Sequence, residues 1–405
     1  MPQKNASAVS RRSFMRLASV AASMPILTEA HFAWAAHQAT PAPGTSAPAR
    51  HIRPAAPPGA VMINANENPL GPCKAACEAI AAIAPKGGRY DMDGETGKLT
   101  RTFAEQNGLK EEYIMVYAGS SEPLHYSVMA FTSPTRGFVT ADPTFEAGMR
   151  SAMIAKAKIS KVPLRADYSH DVKAMVAADP NAGVIYICNP NNPTGTTTTK
   201  EDIAWALENK PKGSILLVDE AYIHLSDAQN VLEYVAADKD LIVLRTFSKI
   251  YGMAGIRCGF AVGRPDLLAK LQPFGQNAMP ITGSVAAKVS LLDAELVPTR
   301  KALIAKTRND TFAFLKANNY KFIPSESNCF MVEVGRPGAE IISALHTKNV
   351  FIGRTWAIWP TMVRVSVGTP EEMAKFQVAF KEVMGETSTA SLPAHDPSAD
   401  LAFLS

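Results

Sequence analysis

The chain has 405 residues, 47% of them hydrophobic and 19% charged, with a formal net charge of +4. High apolar content with low net charge excludes intrinsic disorder for most of the length, and at roughly 100 to 200 residues per domain there is room for two or three domains. Residues 1–35 carry a local charge of +3, from Lys4, Arg11, Arg12 and Arg16 against Glu29, which leaves +1 for the rest. A body that close to neutral offers no electrostatic case for nucleic acid or an anionic membrane surface.

In chain order, the first segment has the layout of an address. Ser10-Arg11-Arg12-Ser13-Phe14-Met15-Arg16 precedes a weakly apolar run at 17–27 and then Ala33-Trp34-Ala35. Basic, apolar and small-x-small portions in that order predict a bacterial export signal over 1–35, and the arginine pair resembles the twin-arginine type. The apolar run, about 11 residues, is too short to cross a bilayer, which needs ~20. The expected location is periplasmic or secreted, or cytoplasmic if 1–35 is instead a basic amphipathic N-terminus. Residues 36–58 hold Pro41, Pro43, Pro48, Pro54, Pro57 and Pro58 among Ala, Thr and Ser without an apolar period, which predicts a linker. The polar, aperiodic stretch 386–405 predicts a disordered tail.

The five cysteines show no paired metal-ligand spacing. Cys73 and Cys77, four apart in a helical pattern, make half a metal site at most, and two small helix residues explain them as well. No metal is expected, and an odd count set mostly in apolar runs argues against a disulfide framework. Short β-branched runs at 138–141, 184–188, 215–218, 241–244 and 259–262 are apolar throughout, as strands covered on both faces are. The middle of the chain is therefore predicted as a mostly parallel α/β sheet. Residues 362–367 alternate instead, and Thr369-Pro370-Glu371-Glu372 opens a last helix with Thr as N-cap and Pro in the first turn, which predicts a smaller α+β domain.

In parallel sheets ligands sit beyond the carboxyl ends of the strands. The polar clusters fall there: NPNNPTG at 189–195, Asp219-Glu220-Ala221-Tyr222, and Thr246-Phe247-Ser248-Lys249. Singly, each has a plainer explanation, as a turn, a helix cap or a solvated lysine. Order and spacing say more. Tyr222 lies three residues after Asp219, Lys249 thirty after Asp219, and Arg257 eight after Lys249 within Gly255-Ile256-Arg257-Cys258-Gly259.

Together with Asn64-Ala65-Asn66-Glu67-Asn68-Pro69, SKIYGMAGIRCGF and VRVSVGTPEE, this set resembles the fold type I pyridoxal 5'-phosphate enzymes. Within them it is similar to the class I and II aminotransferases, and most of all to the histidinol-phosphate subgroup, over about 61–384. The resemblance implies an α/β fold: a three-layer α/β/α large cofactor-binding domain with a mostly parallel sheet at 89–295, a smaller α+β domain at 296–385, and an arm with part of the small domain at 59–88. It implies ping-pong transfer, through a Schiff base, of an amino group between an amino acid or amine and a 2-oxo acid. The twin-arginine route, which moves folded proteins, would suit a chain that loads its cofactor before export.

The same resemblance assigns roles. Lys249 would hold the cofactor and move the substrate proton; Asp219 would keep the ring nitrogen protonated; Tyr222 and Asn192 would hydrogen-bond the ring oxygen. Arg257, Thr246 and Ser248, with the Gly119, Ser120 and Ser121 loop at a strand-to-helix junction, would take the cofactor phosphate. Phe145 would stack on the ring, although a core position also explains it. Tyr90 matches a tyrosine that reaches the neighbouring subunit's phosphate and implies a homodimer with shared sites, though Asp91 stands where the family has Pro. Arg364 would grip the substrate α-carboxylate, a structural ion pair being the alternative. Arg354 is the candidate for a substrate phosphate, yet Trp356 and Trp359 beside it suit an apolar or aromatic side chain equally, and export is out of place in histidine biosynthesis. The expected donor is thus aromatic or imidazole-bearing. A decarboxylase, lyase or amino-acid oxidase of the same fold, or a non-catalytic cofactor-binding protein, are the alternatives.

Overall fold

The computed structural model describes residues 56–275 and 278–385; the predicted export signal, most of the linker and the tail lie outside them. The strands are β1 (Val61–Ile63), β2 (Ile114–Tyr117), β3 (Gly137–Asp142), β4 (Ile159–Pro163), β5 (Ala182–Cys188), β6 (Ile215–Asp219), β7 (Leu241–Thr246), β8 (Gly259–Gly263), β9 (Cys329–Glu333), β10 (Val350–Ile352) and β11 (Met362–Ser366). Seven of them form one sheet in the order β2-β8-β7-β6-β5-β3-β4. Strands β3 to β7 pair in parallel, whereas β8 runs antiparallel to both β7 and β2. The physical reason lies in the connection: residues 247–258 form the turns around Lys249 and contain no crossover helix, so the chain returns in the opposite direction.

Every residue of β5, β6, β7 and β8 is buried. Alternation along the strands divides them between two apolar layers. Val139, Ile185, Ile187, Leu216, Val218 and Val243 face one, together with helices Val172–Ala177 and Lys200–Asn209. Phe138, Val184, Tyr186, Leu217, Ile242 and Leu244 face the other, with helices Ser121–Phe131 and Ala147–Ile154. A sheet sandwiched in this way is the three-layer α/β/α arrangement that uniformly apolar strands require.

The remaining strands make two small sheets, β9 antiparallel to β11 and β1 parallel to β10. The last helix, Pro370–Gly385, starts where the sequence predicts. Thr369 Oγ1 accepts from the Glu372 amide at 3.1 Å and Glu372 Oε2 accepts from the Thr369 amide at 2.8 Å, a reciprocal capping box. Cys73 stands at the N-cap position of helix Lys74–Ile83 without a side-chain cap bond, and among the described residues no group of His, Cys, Asp and Glu could hold a metal ion. No described helix is long and apolar enough to cross a membrane.

The register places the site. Cys188 pairs with Asp219 and Asp219 with Leu244, so the loops after β5, β6 and β7 leave the sheet side by side at its carboxyl edge.

Candidate active site

A cavity of about 330 Å³ opens at that edge. Ser120, Ser121, Phe145, Asn192, Asp219 and Tyr222 line it, as do Thr246, Ser248, Lys249, Arg257, Arg354 and Arg364. The tertiary structure thus brings together residues spread over more than half of the sequence. Gly119 sits behind Arg257, and Tyr90, 84% exposed, does not line the cavity of its own chain.

Lys249 projects from the turn after β7, and its neighbours hold that turn in place. Thr246 Oγ1 donates to Ser248 Oγ at 2.9 Å and accepts from the Ser248 amide at 3.2 Å. Asn68 Nδ2 and Arg300 Nη1 both donate to the Ile250 carbonyl at 3.0 Å. Gly252, at φ +67°, lets the chain press against the N-terminal segment, for a Cβ there would lie 2.1 Å from the Gly71 carbonyl. Burial, reinforced by the charge of Arg364, lowers the Lys249 amine from 10.5 to about 8. An amine in that range supplies a useful neutral fraction near neutral pH.

Asp219 ends β6 with its carboxylate buried. Oδ2 accepts from Tyr186 Oη at 3.0 Å and Oδ1 from the Ala221 amide at 3.1 Å. Burial raises its pKa to about 6, while those two bonds and the Lys249 charge restrain the rise. The carboxylate is therefore ionised at neutral pH inside a largely apolar layer. Tyr186 is absent from the sequence-based expectations because it stands inside an apolar strand run with nothing local to mark it.

Asn66 is a second unexpected member. Its Nδ2 donates to Tyr222 Oη at 3.1 Å and approaches Asn192 Oδ1 at 3.5 Å, and its amide donates to Ser366 Oγ at 2.8 Å. Ser366 Oγ donates back to Asn66 Oδ1 at 2.9 Å. Asn66 adopts φ 54°, a left-handed conformation that Asn tolerates better than most residues. Its place in the Asn64-Ala65-Asn66-Glu67-Asn68-Pro69 stretch was the available signal.

Arg364 lies on β11, 6% exposed. Nη1 donates to Asn192 Oδ1 at 3.0 Å and Nη2 to the Asn64 carbonyl at 2.7 Å, while Nε is buried without a partner. Burial holds the guanidinium below the usual arginine range. Arg257, at φ 65°, packs over Gly119, where φ is 97° and a Cβ would lie 2.3 Å from Nη2. Next to it, helix Ser121–Phe131 has Ser120 at its N-cap with no side-chain cap bond, which suits the backbone donors and the positive end of the helix dipole to an anion. Phe145 follows the cis Asp142–Pro143 bond, and its loop is tied to the NPNNPTG loop by Thr144 Oγ1 donating to Asn191 Oδ1 at 2.7 Å. Phe145 also packs against the core layer beneath, so the core and cavity readings describe one side chain.

Arg354 lines the cavity but is engaged already: its Nη2 pairs with the Glu146 carboxylate, and its guanidinium sits 4.1 Å from the centre of the Trp356 ring. The two tryptophans correct an expectation. Trp356 is 2% exposed in a cluster with Ile323, Met331 and Met362, and Trp359 packs edge-on to Tyr168 at 5.6 Å. Neither ring lines the cavity, whose aromatic lining comes from Phe145, Tyr222, His346 and Phe351.

The family model "Aminotransferase class I and II" matches residues 60–380. A histidinol-phosphate aminotransferase of Symbiobacterium thermophilum is 34% identical over 333 residues, covering 80% of this chain and 91% of that one. Its counterpart in Moorella thermoacetica is 32% identical over 335 residues, covering 80% and 85%. Among solved structures, histidinol-phosphate aminotransferase from Sinorhizobium meliloti, in complex with pyridoxal 5'-phosphate, superposes with a TM-score of 0.74 at 26% identity, covering 80% of this chain and 90% of that one.

The donor set fits that cofactor. Its aldehyde calls for an amine of lowered pKa, which Lys249 supplies; its ring nitrogen calls for a buried carboxylate, which Asp219 supplies. Its phosphate dianion calls for a guanidinium, hydroxyls and free amides, which converge where Arg257 packs on Gly119 beside Ser120 and Ser121. The chain belongs to the class I and II aminotransferase family and is a pyridoxal 5'-phosphate-dependent aminotransferase.

Proposed function

We propose that this aminotransferase moves an amino group between a 2-oxo acid and an amino acid or amine with an aromatic or imidazole-bearing side chain. The observation that carries the reading is the convergence of Lys249, Asp219, Tyr222, Arg257 and Arg364 on one cavity. The likeness to histidinol-phosphate aminotransferases supports a ring-bearing donor.

The bound cofactor supplies an aldehyde and an electron-withdrawing ring that stabilises negative charge on a substrate carbon. Lys249 Nζ, neutral in a sizeable fraction at pH 8, takes and returns the substrate's α-proton. Asp219 keeps a negative charge next to the ring nitrogen and so favours its protonated form. Tyr222 and Asn192 would hydrogen-bond the ring oxygen, with Asn66 bonded to Tyr222 and beside Asn192. Thr246, Ser248, Arg257 and the Gly119, Ser120 and Ser121 loop would hold the phosphate, while Phe145 would cover the ring and exclude water. Arg364 pairs with the α-carboxylate through its fork. Arg354 lies beside the substrate's side chain.

The chain works as a homodimer with shared sites: Tyr90 and Met92, 84% and 81% exposed, are offered outward, and Tyr90 completes the neighbour's phosphate site. Export follows the twin-arginine route, on the strength of Arg11 and Arg12. Periplasmic recovery after both are replaced by lysine would refute that route.

The function is tested with a half-reaction screen. Purified protein is mixed with a panel of amino acids, loss of the lysine-linked cofactor absorbance is followed, and 2-oxo acids are then added to restore it. Carbon dioxide or ammonia released without an acceptor would identify a decarboxylase or lyase instead.

A further inference from the structure

We propose that Glu146 sets the class of side chain the enzyme accepts: by pairing with Arg354 it closes that cation to phosphate and carboxylate groups and directs the site to uncharged aromatic side chains. The inference rests on the aminotransferase reading above and narrows it. Among the described residues, four lysine and arginine cations line the cavity, Lys249, Arg257, Arg354 and Arg364. The first, second and fourth serve the aldehyde, the cofactor phosphate and the α-carboxylate, which leaves Arg354, of these four, for a charged side chain. Arg354 is committed at its edge to the Glu146 carboxylate and on its face to Trp356, 4.1 Å from the ring centre.

Glu146 holds this position because it follows Phe145 directly and precedes helix Ala147–Ile154, so the turn that carries the aromatic cover also carries the carboxylate. Arg150, farther along that helix, does not line the cavity, although its charge lies close enough to be felt by both Glu146 and Arg354, whereas Glu67 lines the cavity and adds negative charge to that of Asp219. An anionic side chain would have to break a charge-assisted pair and then lie beside the displaced carboxylate. An uncharged ring meets no such penalty, since Phe145, Phe351, Ile342 and Ile352 supply an apolar wall.

The holoenzyme is assayed for kcat/KM with phenylalanine, glutamate and O-phosphoserine, using pyruvate as the common acceptor. Phenylalanine should be the preferred donor. In Glu146→Gln, and equally in Glu146→Ser, the ratios of glutamate and of O-phosphoserine to phenylalanine should rise about tenfold or more. That rise should vanish when Arg354→Met is added. Either variant that retains the cofactor absorbance of the folded enzyme suffices. A readout without turnover is inhibitor binding: glutarate should tighten relative to 3-phenylpropanoate in both variants. Ratios unmoved by both substitutions, or a wild-type enzyme that prefers glutamate or O-phosphoserine to phenylalanine, overturn this inference alone. Absence of turnover with all three donors overturns the aminotransferase reading together with it.

Discussion

Arg364→Lys separates carboxylate recognition from structural support. The arginine spends Nη1 on Asn192 and Nη2 on the Asn64 carbonyl, and keeps a buried Nε without a partner. A lysine offers one ammonium in place of the fork and cannot serve Asn192, Asn64 and a substrate carboxylate together. Loss of one hydrogen bond to a charged group removes about 1.5 to 3 kcal/mol, or roughly 10- to 150-fold in kcat/KM for an α-amino acid. A donor amine that lacks the carboxylate never uses that bond, so its kcat/KM should fall by less than about threefold. The assay is a pair of half-reactions on one variant, with an amino acid and its decarboxylated analogue, followed through the cofactor absorbance. Equal losses on the two donors would refute the reasoning and make Arg364 a structural brace for Asn192 and β11.

Three further outcomes follow from the geometry. Asp219→Ala should retain partial cofactor binding and lose most turnover; near-normal rates would sink the assignment of the ring-nitrogen partner. Gly119→Ala puts a Cβ 2.3 Å from Arg257 Nη2 at φ 97°, and should weaken cofactor affinity about tenfold or more with the fold intact, as read by equilibrium titration. Acid should destabilise the protein early: burial lowers His125 and His170 to about 4 and His224 to about 3, so below pH 6.5 the unfolded chain binds protons that the fold rejects. Asp219 and Glu220, raised by burial, act in the opposite sense toward lower pH. The net expectation is a loss of about 1.4 to 4 kcal/mol per unit from pH 6.5 toward 4, measured as urea midpoints. His224→Gln, which removes the ring whose Nε2 faces Arg245 Nη1 at 3.1 Å, should flatten that slope by about one proton; an unchanged slope would contradict it.

Much of this was legible in the chain because the signals are local. Uniformly apolar runs require cover on both faces, so β5, β6 and β7 and their parallel pairing could be read directly, and Thr369-Pro370 announced its helix. The direction of β8 was not legible, since it depends on what the preceding loop holds and not on the strand's composition. The spacing of Asp219, Tyr222, Lys249 and Arg257 carried the family, and the structure brings those residues to one cavity.

The linear sequence by itself determined the sandwich of helices on a mostly parallel sheet and the residue types suited to the cofactor, because burial pattern, turn chemistry and motif spacing act over a few residues at a time. Only the tertiary structure decided what those groups touch. Asn66 meets Ser366 across 300 positions and Arg354 meets Glu146 across 208. Tyr186 reaches Asp219 from a neighbouring strand. Such partners are chosen by where the packed layers bring distant segments together, and an ion pair between Glu146 and Arg354 leaves no trace in the order of residues around either one.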